Sequence, residues 1–337
     1  MNAIKKRVTL LAGNIPYSFR RDFLRYWNAT NKILSKIENV NNLYSGIPFW
    51  YFLPEMILKR FPSKMRAQDK RFLDDINWGQ YCYYFAIRMQ DDIYDCQEDD
   101  TALLFVSDHF LIEADQNFRK YFDTDSIFWE IKDKYLRKSF NGIIEARELQ
   151  TKPDSDLRRL LSEYVNISSI FKIGSVAVCE KLSAMNECKR IIKFADEIAI
   201  ASQIVDDLED INEDLERNRF NYVVQALIDF LNIEITKFRD RDELLKQIIT
   251  ENCIKHISTK VYSHLERAEK IILHVIPELV NHVRYFRKCY NVMEKKFYLE
   301  KLPQFSRNAK RRWISLQNRK WNGNSDAIAS GRERIKE

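Results

Sequence analysis

The chain has 337 residues, of which 45% are hydrophobic and 31% charged, and its formal net charge is +6. Seven Gly and seven Pro are too few for collagen-like, linker-rich or many-turned β architectures, and the hydrophobic fraction is too high for a disordered chain. The positive excess lies in residues 303–337, which hold nine Lys or Arg and three acidic residues, so the rest of the chain is neutral. No motif that reads nucleic acid accompanies this excess, and we predict no nucleic-acid partner.

The cysteines and the N-terminus indicate a cellular location. Six cysteines are scattered without any CxxC spacing, which is typical of reduced thiols rather than of a disulfide framework or a zinc site. The apolar stretch 8–12 is too short for a signal peptide, and no run approaches the roughly 18 apolar residues of a membrane span. We therefore expect a cytoplasmic protein that does not span a membrane.

Apolar residues recur at three- and four-residue spacings along most of the chain, whereas alternating β pattern is almost absent. The pattern predicts helices over 78–90, 132–149, 157–182, 189–215 and 222–232, with breaks at Pro62, 151–153 and Asn218. We predict an all-α fold, with one large helical domain over residues 1–302 and a basic tail over 303–337 whose last dozen residues are frayed.

The first of two acidic clusters is the sequence DDIYD at residues 91–95, which follows the apolar helical segment 81–87. On a continuing helix, Asp91 and Asp95 are four residues apart and lie on one side, on the same stripe as Tyr84. These two carboxylates are therefore expected on a stripe that faces the core.

The second acidic cluster, residues 203–214, ends another apolar helix, 195–205. Asp206, Asp210 and Asp214 recur every four residues, so on a helix they form one carboxylate stripe about 12 Å long.

Stacked carboxylates repel one another and are costly beside a core unless a positive charge compensates them. No Lys or Arg lies between Asp91 and Thr101 or between Gln203 and Glu216. Hard divalent cations are natural compensators, because they take carboxylate oxygens and leave room for phosphate oxygens and water. The alternative is a pair of acidic helix ends in solvent; two clusters that each end an apolar helix favour metal binding.

These residues resemble the class I isoprenoid synthases. Residues 91–95 fit the DDxxD motif, residues 203–210 resemble the second aspartate-rich motif QxxDDxxD, and residues 171–176 resemble the Lys-containing segment upstream of it. The resemblance implies a helical bundle around a deep apolar cavity, with the two motifs facing each other across it. It also implies about three Mg²⁺ ions, which Mn²⁺ could replace.

The resemblance assigns site residues by motif position. It implies catalytic roles for Asp91, Asp95, Asp206 and Asp210. The implied metal ligands are Asp91, Asp92, Asp95, Asp206, Asp207, Asp210 and Asp214. The candidates for diphosphate contact are Lys172, Arg217, Arg219, Arg284 and Tyr285. Candidates for the apolar wall of the cavity are Trp78, Tyr81, Tyr84, Phe85 and Phe171, each of which could equally be core filler.

Three branches of the superfamily fit to different degrees. Chain-elongating prenyltransferases usually carry a GKR-like segment and an Arg-Arg pair, but the comparable residues, SGIPFW at 45–50 and DDTAL at 99–103, contain no cation. Head-to-head synthases of the squalene and phytoene type resemble the chain at Arg88 and over residues 203–219, but usually have an uncharged residue where Asp207 stands.

Terpene cyclases use a metal triad of the form (N/D)Dxx(S/T/D)xxxE, which residues 206–214 resemble, with Asp214 in place of the usual Glu. Arg284-Tyr285 also resembles their C-terminal Arg-Tyr pair. Because the acceptor-binding cations are missing while both metal motifs remain, we expect a magnesium-dependent terpene synthase acting on farnesyl, geranylgeranyl or a longer prenyl diphosphate.

Two alternatives stay open. One is a prenyltransferase that joins two prenyl diphosphates by elongation or head to head. The other is an inactive regulatory subunit of a prenyl synthase. Since relatives are often dimers, a homodimer is a further expectation.

Overall fold

The computed structural model describes residues 2–36, 49–61, 69–95, 101–234, 244–245, 248 and 250–300. Within these ranges the chain forms helices and no β-strand, which confirms the predicted all-α class. The α-helices are α1 (Asn2–Asn14), α2 (Tyr17–Lys36), α3 (Phe49–Arg60), α4 (Asp69–Tyr94), α5 (Ala102–Arg119), α6 (Ile127–Gln150), α7 (Leu157–Ile167), α8 (Ile173–Lys181), α9 (Met185–Glu209), α10 (Ile211–Glu216), α11 (Tyr222–Leu231), α12 (Glu251–Ile272) and α13 (Leu279–Glu300). The predicted tail, 303–337, lies outside the described residues.

Two of the predicted helices are interrupted. The segment predicted as one helix over 157–182 consists of α7, a 3₁₀ helix (Ser168–Lys172) and α8. The segment predicted over 189–215 divides at Asp210 into α9 and α10. The predicted break at Asn218 is present, and Asn218 has a left-handed backbone with φ of 57°. Apolar spacing continues through both interruptions, so periodicity alone does not predict them.

The chain divides into two compact units, to both of which five helices contribute: α6, α7, α9, α12 and α13. The first unit is Met1–Arg147, Leu161–Ala199 and Arg267–His282, and the second is Glu148–Leu160, Ile200–Glu266 and Val283 onward. The single domain expected over residues 1–302 stays a prediction. No described helix is both long and apolar enough to cross a membrane.

Helix α4 is central to the first unit, where it packs against α3, α5 and α8. Most of its residues between Asp75 and Met89 are buried, as expected for a stretch of helix that packs against neighbours on several sides. Phe85 on α4 and Phe23 on α2 both pack on Phe110 of α5, each at 5.5 Å between ring centroids. The first acidic motif therefore begins at the end of a helix fixed on several sides.

Buried Asp75 ties α1 and α5 to α4. Its carboxylate accepts hydrogen bonds from Arg7 at 3.2 Å and from the Tyr121 hydroxyl at 2.8 Å, and Lys120 lies 3.3 Å away. Burial by itself would raise the pKa of Asp75, but the hydrogen bond from Tyr121 and the charge of Lys120 outweigh it, so this pKa lies below its ordinary value.

Helices α6 and α7 approach closely at Gly142. A Cβ atom there would lie 2.7 Å from the backbone nitrogen of Ile167, and Ser139, one turn earlier, donates a 2.7 Å hydrogen bond to the Ile167 carbonyl. A side chain at position 142 would thus meet backbone, which cannot move aside as a flexible side chain can.

We predict that Gly142→Ala lowers the free energy of unfolding by about 1–3 kcal/mol, because the added methyl group forces α6 and α7 apart. The matched control is Gly13→Ala in α1, where a Cβ would meet nothing within 4 Å. There the substitution should leave stability unchanged or raise it by up to about 1 kcal/mol through helix propensity. Urea unfolding followed by circular dichroism measures both; equal effects at the two glycines would contradict the close approach.

Candidate functional site

The first acidic motif lies at the C-terminal end of α4 and in the turn that follows it. Asp91 and Asp95 are half-buried, and the Asp95 backbone N–H donates to the Asp91 carbonyl at 2.8 Å, so the helical path continues to Asp95. The predicted arrangement of these two carboxylates, one turn apart on one side of a helix, is therefore present.

Asp92 differs from its neighbour Asp91 because it is buried and held by protein groups. The Tyr26 hydroxyl donates to one carboxylate oxygen at 2.5 Å, and Arg88 Nε lies 2.9 Å from the other. Asp92 thus fastens α2 to the end of α4. Its role as a metal ligand stays a prediction.

Asp95 forms an ion pair that the sequence pattern does not predict. Arg147 Nη1, in the last turn of α6, lies 2.6 Å from Asp95 Oδ1. The two residues are 52 positions apart, so local sequence spacing does not predict this pair. No motif in α6 signals it, since Arg147 resembles any other cation near a helix C-terminus.

Two of the predicted wall residues form an aromatic group with Trp50, and the others are core filler. Phe171 stacks on Trp50 at 4.9 Å, and Tyr84 lies 5.0 Å from Trp50 and 5.6 Å from Phe171. Tyr84 and Phe171 are partly exposed, whereas Trp50 is buried. Because Tyr84 precedes Asp91 by seven residues, it lies on the same stripe of α4. Trp78, Tyr81 and Phe85 are buried in the core.

Phe171 is placed by the 3₁₀ helix between α7 and α8, and buried Gln80 of α4 holds this helix. Gln80 Nε2 donates to the Ile170 carbonyl at 2.9 Å, and the Gly174 N–H donates to Gln80 Oε1 at 2.6 Å. A Cβ at Gly174 would lie 3.2 Å from both Gln80 and Pro54, so glycine allows this close contact. One side chain thereby satisfies two backbone groups where the α-helical ladder is interrupted.

The second acidic motif lies in the second unit, at the end of α9 and in α10. Asp206 and Asp210 are exposed and Asp214 is half-buried. The Asp210 N–H donates to the Asp206 carbonyl, and the Asp214 N–H donates to the Asp210 carbonyl, each at 2.9 Å. The four-residue spacing of the predicted carboxylate stripe therefore persists through the boundary between α9 and α10.

Asp207 is buried and joins α9 to the start of α11. Its Oδ2 accepts the Tyr222 N–H at 2.9 Å, and its Oδ1 accepts from Gln203 Nε2 at 3.2 Å. Asn221, which belongs to none of the sequence motifs, donates from Nδ2 to the Asp207 carbonyl and to Asp214 Oδ2, each at 2.8 Å. Since Asn221 also caps α11, the acidic motif and that helix hold each other in place.

The basic candidates occupy different environments. Lys172 is buried, pairs with Asp196 of α9 and donates to the Val165 carbonyl at 3.2 Å. Burial lowers its pKa, and the charge of Asp196 opposes this shift without cancelling it. Arg217 is exposed and pairs with Glu213 at 2.8 Å, whereas Arg219 is buried. In the second unit, α13 carries exposed Arg284 and half-buried Tyr285.

The donors fit magnesium in chemistry but form no complete cage. In the part of the chain that the structure describes, no three His, Cys, Asp or Glu side chains are grouped so that they could hold a metal ion. Mg²⁺ is usually bound by one or two carboxylates, with phosphate oxygens and water completing the octahedron. The carboxylate pairs Asp91/Asp95 and Asp206/Asp210 match this mode, in which a diphosphate would supply the missing ligands.

Comparison with solved structures identifies the fold. Heptaprenyl diphosphate synthase from Staphylococcus aureus superimposes with a TM-score of 0.57 at 12% identity, covering 77% of this chain and 96% of that one. Octaprenyl pyrophosphate synthase from Helicobacter pylori gives a TM-score of 0.57 at 15% identity, covering 78% and 98%. No family model and no curated protein matches the sequence.

The chain therefore has the all-α class I isoprenoid synthase fold, as its motifs predicted. Both similar structures are prenyl diphosphate synthases.

We predict that the adjacent aspartates of the second motif differ in their effect on stability. Asp207→Ala should lower the free energy of unfolding by about 1–3 kcal/mol, because it leaves the buried Tyr222 N–H without its acceptor. Asp206→Ala, at an exposed position, should change it by no more than about 0.5 kcal/mol. Urea denaturation of both variants measures the difference, and equal costs would contradict the structural role of Asp207.

Proposed function

We propose that the protein is a magnesium-dependent prenyltransferase, which ionises an allylic prenyl diphosphate and joins the prenyl group to a second isoprenoid diphosphate. The observation that carries the proposal is the order of DDxxD and QxxDDxxD motifs on a fold similar to those of two prenyl diphosphate synthases. Its substrates would be farnesyl, geranylgeranyl or longer diphosphates.

In this proposal the more exposed aspartates bind metal, and the buried ones position them. Asp91 and Asp95 of the first motif and Asp206, Asp210 and Asp214 of the second would hold Mg²⁺. These residues would place Mg²⁺ where its charge offsets the negative charge that develops on the leaving diphosphate. Asp92 and Asp207 keep the ends of α4 and α9 in place through Tyr26 and Tyr222.

Charged side chains would complete the diphosphate site. Arg217 and Arg284 are exposed and can reach an anion, so we propose them as contacts, together with Arg219 and Tyr285. Lys172 is the least suited of the predicted contacts, because its ammonium group is buried against Asp196. Using it would require breaking a buried ion pair, which is costly.

Aromatic faces near the first motif would stabilise the cationic intermediate. The exposed parts of Tyr84 and Phe171 present π-faces, and such faces attract cations when water is excluded. Gln80 fixes the segment that carries Phe171, so this surface is rigid on one side.

Cyclisation by a terpene synthase is the second candidate. It is favoured by the absence of Lys and Arg from residues 45–50 and 99–103, where elongating enzymes usually bind isopentenyl diphosphate. Trp50, the last residue of the segment 45–50, is buried in the aromatic group with Tyr84 and Phe171. An uncharged acceptor region with both metal motifs retained suits a single-substrate reaction.

Product analysis distinguishes the candidates. The purified protein is incubated with Mg²⁺ and geranyl, farnesyl or geranylgeranyl diphosphate, each with and without isopentenyl diphosphate, and products are identified by mass spectrometry and gas chromatography. We expect longer prenyl diphosphates that form only with isopentenyl diphosphate, or a head-to-head product from one allylic substrate. Cyclic hydrocarbons or alcohols from one substrate would establish the terpene synthase instead, and absence of turnover would favour the regulatory subunit.

Alanine variants test the site assignment within the same assay. Asp91→Ala and Asp206→Ala should each lower turnover by at least about a hundredfold, because each removes a proposed metal ligand that stabilises the leaving group. Asp74→Ala, at an exposed position on the same helix as Asp91, is the control and should retain full activity. Survival of activity in both motif variants would show that the site is elsewhere.

A further inference from the structure

Arg147 occupies the position of a counter-ion to the first acidic motif. Its Nη1 atom lies 2.6 Å from Asp95 Oδ1, and the two side chains are only 27% and 21% exposed. At that burial, water screens the pair less than it screens an ordinary surface ion pair, so the interaction is strong enough to affect how Asp95 binds other cations.

The pair offsets a repulsion within the motif. Asp91 and Asp95 are one turn apart and half-buried, so their negative charges disfavour each other when no cation is present. Arg88, the cation nearest along the chain, lies against Asp92 rather than Asp95. Arg147 thus pairs with Asp95, as Arg88 does with Asp92.

The Arg147 guanidinium and a divalent metal ion would compete for the same carboxylate oxygen of Asp95. Asp95 Oδ1 accepts the guanidinium and is also a proposed metal ligand, and a divalent ion bound there would be repelled by a positive charge a few ångström away. A diphosphate anion beside the motif would remove this conflict, because it binds the metal and attracts the guanidinium.

We propose that Arg147 is a positioning residue that makes metal binding at the first motif depend on diphosphate. This inference rests on the proposed function of that motif. Without diphosphate, Arg147 holds Asp95 and keeps metal affinity low; with diphosphate, the guanidinium turns from Asp95 to the anion and metal binds. By linkage, metal and diphosphate then strengthen each other's binding by the same factor.

Mn²⁺ binding, measured by electron paramagnetic resonance with and without inorganic pyrophosphate, tests this coupling without any turnover. The full-length wild type should bind Mn²⁺ weakly alone and more tightly with pyrophosphate. Arg147→Gln should bind Mn²⁺ alone at least about tenfold more tightly, since it removes a nearby positive charge, and pyrophosphate should enhance its binding less. Asp91→Ala identifies the part of the signal that comes from the first motif.

Two further variants separate charge from packing. Arg147→Lys keeps the charge and should bind Mn²⁺ with an affinity between those of the wild type and Arg147→Gln; it also provides the measurement if the Gln variant does not fold. Arg137→Gln removes an exposed arginine from the same helix and should match the wild type.

The outcomes separate this inference from the proposed function. If the wild type binds Mn²⁺ with pyrophosphate but loss of the Arg147 charge leaves metal affinity unchanged or lowers it, the inference is wrong and the metal site stands. If the wild type binds no Mn²⁺ even with pyrophosphate, the proposed function fails and the inference fails with it.

Discussion

The cost of placing carboxylates at the ends of apolar helices governs both acidic motifs. Each motif contains two adjacent aspartates, and in both the second one is buried and satisfied by protein donors. Asp92 binds Tyr26 and Arg88, and Asp207 binds Tyr222 and Gln203. The preceding aspartates, Asp91 and Asp206, are more exposed. A tandem aspartate thus combines a buried anchor with a more exposed carboxylate, so we expect the anchors to affect folding and their neighbours to affect ligand binding.

The same physical constraint explains the interruption between α7 and α8. Backbone groups left without helical partners must be satisfied, and Gln80 does this from the stripe of α4 that also carries Tyr84 and Asp91. The aromatic residue Phe171 is therefore fixed by the same helix that presents the first motif. Within the first unit, the acidic residues and the aromatic surface share one rigid support.

The sequence predicts the features that depend on local spacing. The helices and both carboxylate stripes follow from residues three or four positions apart, and the fold follows from the order of the motifs. The 3₁₀ helix cannot be predicted in this way, because the apolar residues around it have the same spacing as in a continuous α-helix. Three contacts also cannot be predicted from the sequence, because each depends on how the helices pack. They are the Asp95–Arg147 pair, the hydrogen bond from Asn221 to the second motif and the burial of Lys172 against Asp196.

The proposal with the widest consequences is that each acidic motif binds metal ions in the presence of a prenyl diphosphate. A crystal structure with Mn²⁺ and an unreactive farnesyl thiodiphosphate, read by anomalous scattering from the metal, tests it most directly. Metal peaks are expected in direct contact with a carboxylate oxygen of Asp91 or Asp95 and, at the second motif, with one of Asp206 or Asp210, together with bound diphosphate. Diphosphate bound without metal at one of the motifs would contradict it.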